Sequence, residues 1–265
     1  MHVLSPGLDL LRFFEGVARA SSRVLMLDYD GTLAPFQVRP ERAVPYPGVV
    51  TVLDRIMAAE KTRMVIVSGR PLDALVPLLK LRHQPELWGA HGWERRLPDG
   101  SGVCNRPDEA VRKRLEEGER LAAQLARIGV RIERKPASVA VHWRGALALA
   151  AASIRNELAR AWEPLAADGL LELLPFDGGV ELRARGWNKQ DAVKAVLSET
   201  NGEAAVAYLG DDMTDEDAFK VVTPRGLAVL VRPEFRMTAA QLWIRPPREL
   251  IAFLKSWQDA CEAAP

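Results

Sequence analysis

RVLMLDYDGTLAPF (residues 23–36) is an apolar run that ends in two acids, Asp28 and Asp30, on either side of a tyrosine. VLMLD (24–28) is short, apolar and stopped by a turn, the pattern of a buried strand. The interior of a protein does not hold two carboxylates at a strand tip without compensation. Either the strand has reached solvent there, or the acids are held for chemistry. Side chains at i and i+2 share a face of an extended segment, so Asp28 and Asp30 can address one substrate.

The same kind of run recurs along the chain. MVIVSG (64–69), AVAYLG (205–210) and GLAVLV (226–231) read as strands, and ELWGAHG (86–92) as a weaker one. Helix-like segments lie between them. Residues 48–60 place Val49, Val52, Leu53 and Ile56 on one side. Residues 71–80 open on Pro71, expected at the first helical position, and contain Pro77, which would kink or shorten the helix. Residues 187–200, 214–222 and 247–260 follow, the second capped by Thr214 or Asp215. Alternation of this kind predicts an α/β protein with a Rossmann-like parallel sheet and helices on both faces.

Between about residues 105 and 184 the rhythm is different. A charged helix is expected over 108–127, strands over 130–135 and 138–144 joined near Pro136, and an Ala-rich helix over 146–163. LLELLPF (170–176) and GVELRA (179–184) read as two more strands, separated by the turn Asp177-Gly178-Gly179. This α-β-β-α-β-β order predicts a small antiparallel sheet covered by helices on one face. The expected organisation is a core of residues 1–104 and 185–265, interrupted by an α+β domain of residues 105–184.

Composition narrows the function classes. Apolar content of 48% and charged content of 27% suit a soluble globular protein. With 36 basic and 35 acidic residues the net charge is +1, so no field for a nucleic acid is built in. No apolar stretch approaches the ~18 residues of a membrane helix. The first residues show no basic segment followed by an apolar one, so no secretory leader is expected. Cys104 and Cys261 lie far apart, which fits two free thiols in a reducing cytoplasm. No pattern fixes the oligomeric state, and a monomer is compatible with all of them.

In an open α/β sheet, ligands bind beyond the carboxyl ends of the strands. Polar residues gather at those ends here: Asp28, Asp30, Gly31 and Thr32 after the first strand, Ser68, Gly69 and Arg70 after the second, and GDDMTDED (210–217) after the strand at 205–210. Lys189 opens the helix that follows the inserted domain. Phosphate ester hydrolysis needs a nucleophile, a proton donor and neutralisation of the phosphoryl charge. Carboxylates this close repel one another and raise one another's pKa, which a hard cation relieves.

In DYDGT, VSGR, Lys189 and GDDMTDED, taken in order, the chain resembles the haloacid dehalogenase superfamily. The resemblance implies that Asp28 attacks phosphorus to form an aspartyl-phosphate and that Asp30 serves as general acid and base. It implies Mg²⁺ held by Asp28, the main-chain carbonyl of Asp30, and Asp211, with Asp212 and Asp215 as partners directly or through water. Ser68 and Lys189 would hold the phosphoryl oxygens, with Gly69 and Arg70 beside them. Lys194, one turn beyond Lys189, is the alternative for the lysine role.

Spacing separates members of the superfamily. The interval from Asp30 to Ser68 holds only a loop and one helix, whereas that from Ser68 to Lys189 has room for a domain. An α-β-β-α-β-β insertion there looks like the C2B cap of sugar-phosphate phosphatases. Within that group LDYDGTLAPF, SGRP, GAHGWE (89–94), ERKPASVAVHWR (133–144) and LGDDMTDEDAF (209–219) resemble the trehalose-6-phosphate phosphatases. The resemblance implies that Glu133, Lys135, Arg144 and Glu181 hydrogen-bond the sugar hydroxyls, with His142 and His91 as further candidates. The segment ELRARGWNK (181–189) departs from the family pattern around the lysine, where ELRP and Lys-Gly are expected. The expected activity is therefore hydrolysis of trehalose 6-phosphate in trehalose biosynthesis. Two alternatives stay open: another sugar phosphate, such as sucrose phosphate or mannosylglycerate phosphate, and an inactive sugar-phosphate-binding regulatory module.

Overall fold

The computed structural model of the chain describes residues 1–125, 130–176 and 178–263. It divides into two compact units, Met1–Val103 with Lys189–Pro265, and Cys104–Asn188.

The first unit contains β1 (His2–Val3), α1 (Leu10–Arg19), β2 (Arg23–Leu27), α2 (Val49–Ala58), β3 (Arg63–Val67), α3 (Leu72–Leu79), β4 (Glu86–Gly89) and β5 (Glu94–Arg96), with β6 (Gly102–Cys104) reaching its end. The second comprises α4 (Glu109–Leu125), β7 (Arg131–Lys135), β8 (Ser138–His142), α5 (Ala148–Ala166), β9 (Leu171–Phe176) and β10 (Gly179–Ala184). The first then resumes with α6 (Lys189–Ser198), β11 (Ala205–Gly210), α7 (Glu216–Val222), β12 (Leu227–Val231), β13 (Leu242–Ile244) and α8 (Arg248–Glu262).

The strands of the first unit form one sheet in the order β1-β13-β12-β11-β2-β3-β4-β5-β6. β13 to β4 run parallel, and β1 and β5 are antiparallel additions at the flanks. Every residue of β2 is buried, because helices cover both faces of a parallel sheet and leave no alternation to see. Leu25 and Leu27 join residues of α1, α2 and α8 in one cluster. On the opposite face the ring of Tyr208 meets Phe219 of α7 edge-on, at 5.8 Å. Arg23 is buried at the start of β2, where its guanidinium donates to the carbonyls of Val17 at 2.7 Å and Ala18 at 2.8 Å. A cation there satisfies the free carbonyls at the end of α1.

Several boundaries differ from the sequence reading. The weak strand at 86–92 stops at Gly89, and Ala90 and His91 turn with φ of 48° and 58°. Pro71 precedes the first helical residue, and α3 passes through Pro77 before ending at Lys80. Asp215 stands at the N-cap position of α7, as expected, but its side chain makes no capping hydrogen bond to that helix; Asp212 caps the preceding 3₁₀ turn Met213–Asp215. The expected helix end at 126–127 and Asp177 of the expected turn lie outside the described residues.

In the second unit the antiparallel order is β7-β8-β10-β9. The register sets Arg131 opposite His142, Glu133 opposite Ala140 and Lys135 opposite Ser138, and then Glu181 opposite Ala140. Directly opposed residues share a face, so these polar side chains line one surface of the sheet. The alternate residue Leu182 turns the other way: a methyl added to Gly118 of α4 would strike it. Trp162 of α5 is buried beside it and donates to the Gly118 carbonyl at 2.9 Å.

Glu86, 2% exposed, is the one charged residue of β4. Its carboxylate accepts from Arg63 at 2.7 and 2.9 Å, from Arg95 at 2.9 Å and from the Trp88 indole at 2.8 Å. Glu199 shares both arginines. Removing one member of a buried charge network strands the rest, at about 3 kcal/mol or more. Glu86→Gln should therefore lower the melting temperature clearly while leaving turnover at a permissive temperature unchanged. An unaltered melting curve would show that Glu199 alone suffices.

Candidate active site

β11, β2 and β3 are parallel neighbours, so their carboxyl ends open on one edge of the sheet. Asp211 follows β11, Asp28 follows β2 and Ser68 follows β3. The Asp28 N–H still bonds the Leu209 carbonyl at 2.8 Å, which holds the acid at the end of the ladder. Gly31, at φ 84°, lets the next turn pass Asp211, since a Cβ there would lie 2.2 Å from the Asp211 carboxylate.

Asp28, Asp211 and Asp215 each offer an oxygen within 4.8 Å of the others, and all three are buried. Lys189, the first residue of α6, donates to Asp28 Oδ1 at 2.6 Å and to Asp215 Oδ1 at 2.8 Å. Lys194 instead lies on an exposed face, 4.0 Å from Asp191. The geometry therefore sets Lys189 in the cluster and Lys194 outside it.

Lone pairs separate the three acids. A carboxylate has roughly four acceptor positions. Asp215 uses them all: Oδ1 accepts from Lys189 and, at 2.5 Å, from the Tyr208 hydroxyl, while Oδ2 accepts from the N–H groups of Asp211 and Asp212 at 3.1 and 3.0 Å. Among the described residues Asp28 accepts only from Lys189 and, at 3.1 Å, from Thr32. Asp211 Oδ1 is buried with no hydrogen-bond partner among the described residues. Burial pushes the Asp28 carboxyl up, Lys189 pulls it down and Asp215 and Asp30 push it up again, to about 7. Asp211 is driven well above the carboxylate range, by burial first and then by the charges of Asp28 and Asp215. Burial disfavours the Lys189 cation, but Asp215 and Asp28 outweigh it and keep the ammonium charged.

The side chains of the other predicted residues have partners of their own. Asp30 is held in a fork by Arg70, with Nε to Oδ2 and Nη2 to Oδ1 both at 2.6 Å. Arg70 also lies 5.7 Å over the Tyr29 ring. Ser68 is buried, its Oγ accepting from the Arg70 N–H at 3.1 Å, and Gly69 lies against the His91 ring. The Asp212 carboxylate accepts from the Met213 N–H at 2.7 Å, so in this structure it serves as a cap outside the acid cluster.

In the second unit Glu181 accepts from Lys135 at 2.9 Å and from Ser138 at 2.5 Å. Glu133 meets His142 Nε2 at 2.8 Å and Arg131 at 3.1 Å. Burial pushes the Glu133 carboxyl up, but the His142 hydrogen bond and the charges of Lys135, His142 and Arg131 prevail and bring it down to about 2. Arg144 packs against Gly178, and Arg183 pairs with Glu172 at 2.7 Å. Tyr208 and Arg236, whose contacts organise the acid loop, escaped the sequence reading. Tyr208 sits in an apolar strand and reads as core; Arg236 sits in a loop with no motif around it.

A parallel sheet with acids at these strand ends is the haloacid dehalogenase-like fold. A haloacid dehalogenase-like hydrolase from Bacteroides thetaiotaomicron superposes with a TM-score of 0.62 at 16% identity, over 88% of this chain and 98% of its own. The C-terminal domain of the Candida albicans trehalose-6-phosphate phosphatase does so with 0.83 at 20% identity, over 98% and 99%. Likeness at that identity speaks for the fold.

The profile of the trehalose-phosphatase family matches residues 26–239, and the chain belongs to that family. The trehalose-phosphate phosphatase of Mycobacterium ulcerans is 32% identical over 247 residues, covering 86% of this chain. The chain spans 60% of that relative's length.

The fold family implies a divalent metal at the acid cluster, and the donors fit one. They are hard oxygens, one of them buried with no hydrogen-bond partner among the described residues, and two of the three carboxylates share the single Lys189 ammonium. Among the described residues no helix is long and apolar enough to cross a membrane.

Proposed function

We propose that the chain is a Mg²⁺-dependent phosphatase that hydrolyses trehalose 6-phosphate to trehalose and phosphate, with residues 105–184 as its C2B-type cap. The observation that carries the reading is the buried Asp28–Lys189–Asp215–Asp211 cluster at the strand ends, in a chain of the trehalose-phosphatase family. Asp28 and Asp211 have acceptor positions left for the ion, with the Asp30 carbonyl as a further donor. The four hydrogen bonds of Asp215 make it an organiser of the loop in place of a ligand. When bound, the ion neutralises phosphoryl charge and polarises the phosphorus toward attack.

A free lone pair of Asp28 attacks phosphorus, and the bond from phosphorus to the sugar oxygen breaks. Asp30 supplies that oxygen with a proton. Asp30 then takes a proton from water, whose oxygen attacks phosphorus and breaks the bond to Asp28, releasing phosphate. Arg70 holds both Asp30 oxygens in this structure, so one must be given up for each proton transfer. Lys189 and Ser68 stabilise the phosphoryl oxygens.

The polar face of the inserted sheet supplies the sugar contacts. A disaccharide is recognised by its hydroxyls, which demand fixed donors and acceptors. Glu133, held ionised, and Glu181 are acceptors, and Lys135 and Arg144 are donors.

Phosphate release across a panel of sugar phosphates tests the substrate. Trehalose 6-phosphate should lead it, whereas preference for sucrose phosphate or mannosylglycerate phosphate would replace the substrate and keep the reaction. Binding without turnover, unaltered by Mg²⁺, would point to a regulatory module. Glu133→Ala should cost ~10-fold or more on trehalose 6-phosphate, the loss of a hydrogen bond to a charged group. It should cost little on a small aryl phosphate. Equal losses on both would contradict a sugar-reading role.

A further inference from the structure

We infer that Arg236, in the loop after β12, is a positioning residue that fixes the direction of the Asp211 carboxylate by gripping its main chain. The inference rests on the metal reading above. The peptides of Asp211 and Asp212 are held from both sides. Their N–H groups donate to Asp215 Oδ2. Their carbonyls accept from Arg236, with Nη2 at 2.8 Å from the Asp212 oxygen and 3.3 Å from the Asp211 oxygen, and Nε at 3.3 Å from the latter.

Arg236 is itself anchored. Its Nη1 donates to Glu216 and, at 2.9 Å, to the Met237 carbonyl. Glu216 also accepts the Ala239 N–H at 2.7 Å, which ties the loop of Arg236 back to the start of α7. Arg232 adds a donor 3.4 Å from the Asp211 carbonyl. A planar guanidinium spans three carbonyls and a carboxylate at once, which an ammonium cannot do.

This arrangement matters because Asp211 has little else to aim it. Its Oδ1 has no hydrogen-bond partner among the described residues, so the carboxylate direction follows from its backbone. Outer partners of this kind commonly carry ~10–100-fold in metal affinity. Arg236 is also a cation near a cation site, so removing its charge would by itself favour the metal. Arg236→Lys keeps the charge and loses the fork, which isolates the geometric effect.

Mg²⁺ binding to the full chain, measured by titration calorimetry without substrate, is the readout. Arg236→Lys should bind Mg²⁺ ~10-fold or more weakly, with kcat recovering at saturating Mg²⁺. A lower melting temperature with unchanged Mg²⁺ affinity would mean a purely structural arginine and overturn the inference. Should this variant fail to fold, Glu216→Gln leaves Arg236 in place but frees its anchor and should weaken Mg²⁺ severalfold; unchanged affinity there overturns it equally. Wild type that binds no Mg²⁺ would sink the metal reading itself, a result distinct from the other two.

Discussion

Asp28→Asn should lose turnover by ~10⁴-fold or more, the scale on which removal of a covalent nucleophile acts, while the protein stays folded. The amide fills the same space. Its oxygen can accept from Lys189 and its NH₂ can donate to the Thr32 hydroxyl, so neither neighbour is stranded. It cannot displace an alcohol from phosphorus. The same change removes one negative charge from a cluster in which burial already works against ionisation. Without metal the variant should therefore melt no lower than wild type, and the gain in melting temperature on adding Mg²⁺ should shrink. Phosphate release and melting curves with and without Mg²⁺ read both halves. Residual turnover near the wild-type rate would eliminate Asp28 as nucleophile.

Lys189→Met should be damaging in both fold and activity. Methionine matches the length of the stem but donates nothing, so Asp28 and Asp215 lose the ammonium they share at 2.6 and 2.8 Å. Stranding a buried charge this way costs about 3–5 kcal/mol, read as a fall in melting temperature of roughly 10 °C for a protein of this size. Mg²⁺ neutralises part of the same charge, so it should restore more stability to this variant than to wild type. Turnover should fall even where the fold is retained, because a donor to the phosphoryl oxygens is gone. A variant as stable as wild type in the absence of metal would mean that the acids are neutral and that the ammonium is not their counterion.

The acids divide the labour in a way that their spacing does not reveal. Asp211, Asp212 and Asp215 look alike in GDDMTDED, yet one has an unpartnered oxygen, one caps a turn and one is saturated. The saturated acid joins Tyr208, Lys189 and two backbone N–H groups, which makes it the hub of the loop. Asp28 and Asp30 diverge likewise, one toward Lys189 and the other toward Arg70.

The parallel strands and their acids were legible because both signals are local. A strand buried on two faces must be apolar throughout, so β2, β3, β11 and β12 stand out as runs, and a loop at a strand end carries its acids in consecutive positions. The inserted sheet was legible for the opposite reason: alternation on β7 and β8 separates a polar face from a helix-covered one. Other features exist only through distant partners. β1, β5, β6 and β13 are two or three residues long and carry no period; pairing with a neighbour alone makes them strands. Its place at the start of α6 favours Lys189 over Lys194, but only folding shows that Lys189 reaches a buried acid while Lys194 stays on an exposed face. Arg236 is one arginine among many until folding brings its loop against the carbonyls of Asp211 and Asp212. Residue type and order thus determined which groups are present and on which strand ends. Packing decided which oxygen keeps a free lone pair, because hydrogen bonds between remote segments use up the others.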